Sequence, residues 1–184
     1  DIVFLSYSDS DLNSFAEAWK LSLYNSKRNR ITLRLANIDN LLHPISVDLY
    51  LENTLKKSKA ILIRLIGGIP YWEYGVNEVK KLAEDQKIPL AILSADGRID
   101  KRLDDFSNLP VSTLRQLSKL CDKGGSESAH SALVQMALTA GLYIKPLKDS
   151  QFIPSVGFWS PRNGIFNTFT DINFIKGKPI IIIV

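Results

Sequence analysis

Residues 60–66 read Ala-Ile-Leu-Ile-Arg-Leu-Ile, an apolar run broken by one charge. A strand with one wet face alternates apolar and polar residues. A run this continuous predicts a strand buried on both faces, as in parallel sheets covered by helices on each side. Ile2 to Leu5 and Ile88 to Leu93 have the same character, and Ile31, Leu33 and Leu35 alternate with Thr32, Arg34 and Ala36 as a period-two strand. Parallel neighbours require crossover connections, usually helical, so the segments between these runs should carry helical periodicity.

They do. Leu12, Phe15, Ala16, Trp19 and Leu23 share one helical face, with Asp9 or Ser10 placed to cap it. Pro44 suits the first position of a helix running from Ile45 to Lys57, with Val47, Leu51 and Leu55 inward and Glu52 and Lys56 as a surface i,i+4 pair. Gly67-Gly68 ends the strongest strand. A helix opening at Pro70 then carries Trp72, Val76, Val79 and Leu82 or Ala83. After the turn Ser94-Ala95-Asp96-Gly97, residues 98–108 read as an acidic loop with Asp100, Asp104 and Asp105 solvated. Pro110 starts a helix with Leu114, Leu117 and Cys121 inward. Gly124-Gly125 stops it, and Ser126 can cap another helix burying Ala129, Leu133, Met136 or Ala137, and Ala140.

Two consecutive helices with no strand between them depart from a simple doubly wound sheet. The expected fold is therefore α/β: a parallel-sheet, flavodoxin/Rossmann-like three-layer domain with an inserted helical hairpin. The expected organisation is a βα-repeat core over residues 1–100, a hairpin lobe over 101–145, an irregular aromatic-rich segment over 146–178, and a final strand, or the start of a next domain, over 179–184. The chain has no initiator Met and both ends fall within strand patterns, so it reads as a piece of a longer protein.

Composition narrows the chemistry. A net charge of +4 with a pI near 9.1 fits an anionic ligand or partner but does not argue for nucleic acid, and the short cluster Lys27, Arg28, Arg30 reads as a solvated loop. One cysteine, Cys121, excludes an intramolecular disulfide and makes the cytoplasm the expected compartment. No apolar run reaches the roughly 20 residues of a membrane span. There is no glycine-rich phosphate loop, nucleophile elbow or zincin pair, and no metal is expected to be held. The only histidines are His43, beside a helix start, and His130. Arg64 has two readings: it points into the crevice beyond the strand ends, or it forms an internal ion pair with Asp48 or Glu73.

Arg34-Leu-Ala-Asn37, the run His43-Pro44-Ile45-Ser46-Val47-Asp48-Leu49-Tyr50, the strand ending Arg64-Leu65-Ile66-Gly67-Gly68, and Tyr71-Trp72 with Tyr74-Gly75-Val76 together resemble one family. This is the large, corrin-binding cobN-type subunit of cobaltochelatase, related to the H subunit of magnesium chelatase. Gly124-Gly125 and Gly157-Phe158-Trp159-Ser160-Pro161 extend the resemblance along the chain. Related sequences often carry His before that last Pro; Ser160 here removes any histidine contact at that point. The family chain is several times longer, so the resemblance implies an N-terminal fragment. It also implies ATP-dependent insertion of cobalt into hydrogenobyrinic acid a,c-diamide in cobalamin biosynthesis, with ATP on separate AAA+ partner subunits and no cofactor bound by this piece, inactive by itself. The resemblance also admits members that serve other tetrapyrroles or metals. On the matching motifs, His43, Asp48, Arg64, Tyr71, Trp72 and Tyr74 become candidate substrate-binding or interdomain contacts. An Arg can pair with a macrocycle carboxylate and aromatics can stack on its face, or the same residues form a structural corner.

A second resemblance competes. Asp1-Ile2-Val3-Phe4-Leu5-Ser6-Tyr7-Ser8 with Asp9 and Asp11 is similar to the opening of a TIR domain, and Trp72 and Glu78, on the helix after the third strand, loosely resemble that family's position for its NAD-cleaving glutamate. It implies a signalling or NAD-hydrolysing module. A non-catalytic α/β scaffold is the third expectation.

Overall fold

In the computed structural model, which describes residues 1–24, 31–147, 158–160 and 164–166, the four apolar runs are strands of one sheet. They are β1 (Ile2–Ser6), β2 (Leu33–Asn37), β3 (Ala60–Leu65) and β4 (Leu90–Ser94), in the order β2-β1-β3-β4, and every neighbouring pair is parallel. The order reverses between β1 and β3, as in a flavodoxin-like winding. The expected α/β three-layer class holds.

Helices close both faces. α2 (Pro44–Asn53) and α3 (Glu73–Gln86) cover the face built by Val3, Leu5, Ile61, Ile63, Leu65, Leu90 and Ile92. α1 (Asp9–Tyr24), α5 (Val111–Lys123) and α6 (Gly125–Thr139) cover the other, built by Ile2, Phe4, Ala60, Leu62, Ala91 and Leu93. Alternate residues of β3 thus enter opposite cores, and all six of its residues are buried. Each fully buried Ile or Leu contributes roughly 1.5–3 kcal/mol, which is why the run tolerates almost no polar residue. On the α1 side Phe4 stacks on Phe15 at 3.8 Å between ring centroids.

The helical hairpin, α5 and α6, lies against the sheet within the same compact unit as the strands, residues 1–148. It fills the layer that α1 alone leaves half open. Residues 149–184 form a second unit, in which β5 (Phe158–Ser160) pairs antiparallel with β6 (Gly164–Phe166). The strand expected over residues 179–184, and most of the aromatic-rich segment, lie outside the described residues.

Several local expectations shift. α2 ends at Asn53, and a 3₁₀ turn, Leu55–Lys57, completes the path to β3. α1 is capped by Ser8, not by Asp9 or Ser10: its hydroxyl accepts from Asp11 N–H at 3.3 Å. Ser126 does not cap α6, which begins a residue earlier after Gly124, whose φ of +70° favours glycine. The acidic loop contains a short helix, α4 (Lys101–Asp104). Asp100 caps it at 3.0 Å to Arg102 N–H, and Asp104 forms a forked ion pair with Arg115. These carboxylates organise the loop instead of standing free in water.

Candidate functional site

In open parallel sheets ligands enter beyond the carboxyl ends of the strands, at the point where strand order reverses. Here that crevice lies between the segments following β1 and β3. The chain closes it with its own groups. Tyr7, after β1, donates its hydroxyl to the Tyr71 carbonyl at 3.1 Å, and Asn37, ending β2, donates to Asp9 Oδ1 at 2.9 Å. Gly67 and Gly68 adopt φ near +75° and +79°, as a tight loop after a strand requires. The Gly67 N–H donates to Asp96 Oδ2 at 3.2 Å.

Arg64 does not point into an open crevice. It lies at the end of β3 on the α1 side and is 5% exposed. Its partners are neither Asp48 nor Glu73. Nη1 donates to both oxygens of Asp11 at 2.9 and 3.1 Å, and Nη2 donates to Asp122 Oδ1 at 2.5 Å. Side chains alternate across a strand, so Arg64 faces α1 and α5, whereas Asp48 and Glu73 belong to the helices of the opposite face. Ser6 donates to Asp11 at 3.1 Å and Ser118 to Asp122 at 3.1 Å. The Arg64 Nε is buried and has no partner among the described residues. One guanidinium shared by two carboxylates is a lock between β3, α1 and α5. Cys121, adjacent in sequence to Asp122, is buried, and burial pushes its thiol up to about 12, which removes it as a nucleophile.

The remaining sequence candidates fall on the other face. Trp72 is buried, and its indole N–H donates to the Leu41 carbonyl at 2.8 Å. Gly75 lies against that ring so closely that a Cβ there would stand 2.0 Å from it. Tyr74 donates to Asp48 Oδ1 at 2.8 Å, tying α3 to α2, and this hydrogen bond raises the tyrosine's pKa. His43 is the N-cap of α2, its Nδ1 accepting from Ile45 N–H at 3.3 Å. Tyr71 is exposed, with its ring over Gly67. The structure therefore gathers His43, Asp48, Tyr71, Trp72 and Tyr74 around the amino ends of α2 and α3, and leaves Arg64 across the sheet from them.

His43 and His130 are likewise on opposite faces, and among the described residues no group of His, Cys, Asp and Glu could hold a metal ion. Glu78 is half-buried on α3. The pairings of Asp11, Asp122, Tyr7 and Asp96 are not legible in the sequence, because the partner of each lies at least 29 residues away. At the amino edge of the sheet a groove of about 350 Å³ is lined by Lys56, Lys57, Lys59 and Lys87 with Ser58, Gln86 and Thr139. Lys87 caps the carboxyl end of α3, where a positive charge complements the helix dipole.

Fold and site define a doubly wound α/β domain whose ligand edge is closed by its own side chains. No family model matches the chain. Among curated proteins it is 29% identical over 178 residues to the aerobic cobaltochelatase subunit CobN of a Sinorhizobium species, and 32% identical over 163 residues to that of Pseudomonas aeruginosa. These matches take in 97% and 89% of the chain but only 14% and 13% of the relatives, so the chain spans about one-seventh of their length. Among solved structures, the catalytic subunit of cobaltochelatase from Mycobacterium tuberculosis shares the fold with a TM-score of 0.57 at 20% identity, over 86% of this chain and 12% of that one. The relationship expected from the sequence is borne out: along nearly its whole length the chain is similar to a segment of CobN-type cobaltochelatase subunits.

Proposed function

We propose that the chain is one domain of a CobN-type chelatase subunit, serving cobalamin biosynthesis, and that it frames the tetrapyrrole-binding subunit instead of performing metal insertion itself. The carrying observation is the match to CobN along 97% of the chain. The framing role is supported by the internal use of the strongest candidates: Arg64 is committed to two carboxylates, and Trp72 to a backbone carbonyl. On this reading the complete subunit inserts cobalt into hydrogenobyrinic acid a,c-diamide, in the cytoplasm, with ATP hydrolysed on separate AAA+ partner subunits. The fragment binds no cofactor. Among the described residues no helix is long and apolar enough to cross a membrane.

The test titrates the chain with hydrogenobyrinic acid a,c-diamide and follows tryptophan fluorescence. In parallel, cobalt insertion is assayed in the longer subunit supplied with ATPase partners. The expected outcome is no saturable quenching by the chain alone and insertion by the longer subunit. Saturable quenching that weakens in Tyr71→Ala and Tyr74→Ala would put corrin contacts in this domain and overturn the framing role. A longer subunit that inserts no cobalt would overturn the chelatase assignment.

A further inference from the structure

The groove of about 350 Å³ lies at the amino edge of the sheet, the far end of the strands from the gathered aromatic candidates. Three connections build it. Lys56, Lys57 and Lys59 come from the segment before β3, Gln86 and Lys87 from the end of α3, and Thr139 from the end of α6. All four lysines are exposed, and no Asp, Glu or aromatic ring lines the groove. The carboxylates nearest in sequence are engaged or stand outside it. Glu52 pairs with Lys56, Glu84 with Lys80 and Asp1 with Arg34, and exposed Asp85 is not part of the lining. Lys57, Lys59 and Lys87 have no ion-pair partner among the described residues. The plainest role for them is to offset the carboxyl ends of α3 and α6, which meet here. Those ends carry roughly half a negative charge each, which leaves about two of the three positive charges without a counterpart.

The backbone holds these lysines at fixed points. The Lys59 N–H donates to the Asp1 carbonyl at 2.7 Å, the Lys57 N–H to Thr54 at 3.2 Å and the Lys87 N–H to Glu84 at 3.4 Å. The Ser58 and Thr139 hydroxyls donate to the Leu55 and Met136 carbonyls, each at 2.7 Å. With those donors spent, a ligand meets the ammonium groups and the Gln86 amide.

We infer that this groove binds a phosphate group, free or at the end of a short polyphosphate. Charge selects this ligand. A phosphate monoester carries about −1.5 to −2 at neutral pH on three strong acceptor oxygens, which matches the unpaired positive charge, whereas a carboxylate brings one. The donors agree. Lysine serves phosphate as a point charge, the arginine fork suits planar carboxylates, and no arginine lines the groove. The volume is that of about ten waters, room for a phosphate or short polyphosphate but not for a folded partner. Without a ring in the lining there is nothing for a base to stack on, so the phosphate end is what is recognised. The inference is independent of the framing role and gives the net charge of +4 an anion to meet.

The test is isothermal titration of the 184-residue chain with phosphate, pyrophosphate and triphosphate at constant ionic strength. ATP tests a nucleotide source, and an oligoglutamate peptide stands for an acidic protein segment. The expected result is saturable binding that tightens from phosphate to triphosphate, with ATP no tighter than triphosphate. Lys57→Gln and Lys87→Gln, from two different segments, should each weaken it by about fivefold, and Lys57→Arg should retain it. Lys119→Gln, at an exposed position on α5, removes the same charge and should leave binding unchanged. Circular dichroism confirms that each variant is folded. Absence of saturable binding would overturn the inference. Equal weakening by Lys119→Gln would do so too, since it would mean attraction to net charge alone. Oligoglutamate binding more tightly than triphosphate would assign the groove to an acidic protein segment, and tighter binding of ATP would assign it to a nucleoside; either overturns the phosphate site.

Discussion

At the scale of single residues, two buried groups dominate. Removing Arg64 leaves Asp11 and Asp122 facing each other without a counter-charge. Breaking a buried pair by deleting one partner costs about 3–5 kcal/mol; since Asp122 is a third exposed, Arg64→Ala should cost about 3 kcal/mol in urea denaturation. Arg64→Lys should recover little of this, because an ammonium cannot donate as a fork to two carboxylates. The triple variant Arg64→Met, Asp11→Asn, Asp122→Asn should regain most of it. His130 makes the second case. It is fully buried on α6 and, among the described residues, neither ring nitrogen has a partner. Burial lowers its pKa below the ordinary 6.5, so the unfolded chain takes up the proton first. Its contribution to stability is fully present above pH 6.5 and falls as pH drops from there toward the folded pKa, by at most about 1.4 kcal/mol per pH unit. Denaturation midpoints measured between pH 7.5 and 5 should show that slope, and His130→Leu should flatten it. The strand that carries Arg64 was legible in the sequence because apolar runs are local. Its partners were not, because they lie 53 and 58 residues away and only the folded sheet brings them together.

At the scale of elements, α3 is the informative helix. Its first turn carries a glycine, Gly75, where alanine would ordinarily gain up to about 1 kcal/mol on propensity alone. The indole of Trp72 occupies the space a Cβ needs, and overpacking of this kind costs about 1–3 kcal/mol while also endangering the indole bond to Leu41. Gly75→Ala should therefore destabilise, by up to about 3 kcal/mol, with a shift in tryptophan fluorescence. At the other end of α3, Lys87 holds the left-handed conformation with φ of +55°. Lys87→Gly should stabilise by roughly 0.5–1 kcal/mol, read from the thermal midpoint. The start of α2 was legible, because Pro44 fixes the first turn and His43 serves as the N-cap, whereas at α1 and α6 several neighbouring polar or glycine residues compete for the cap and the sequence did not choose among them. The reading of 101–145 as a lobe is a different kind of inference, because an amphipathic pair of helices has the same pattern whether its apolar faces meet each other or a sheet. Here they meet both.

At the scale of the whole molecule, the first unit has two cores separated by the sheet, and Cys121 reports on one of them. With its thiol pushed up to about 12 and its side chain enclosed, modification at pH 8 should be undetectable in the native state and should accelerate in step with global unfolding across a urea series. Labelling well below the unfolding transition would mean that the α5–α6 layer opens independently of the sheet.

The winding has a consequence for how the protein comes into being. β1 is made first, yet its two partners are β2 and β3, and Ile2 aligns with Leu33 on one side and Ala60 on the other. The strand at the centre must therefore wait for about sixty residues of synthesis before it is paired on both edges. Its α1-side face waits longer, because Met136 and Ala137 of α6 are among the last residues to seal it. Throughout that interval, of the elements that later cover Ile2 and Phe4 within this unit, only α1 has been made, and this is the window in which a nascent-chain chaperone would find them.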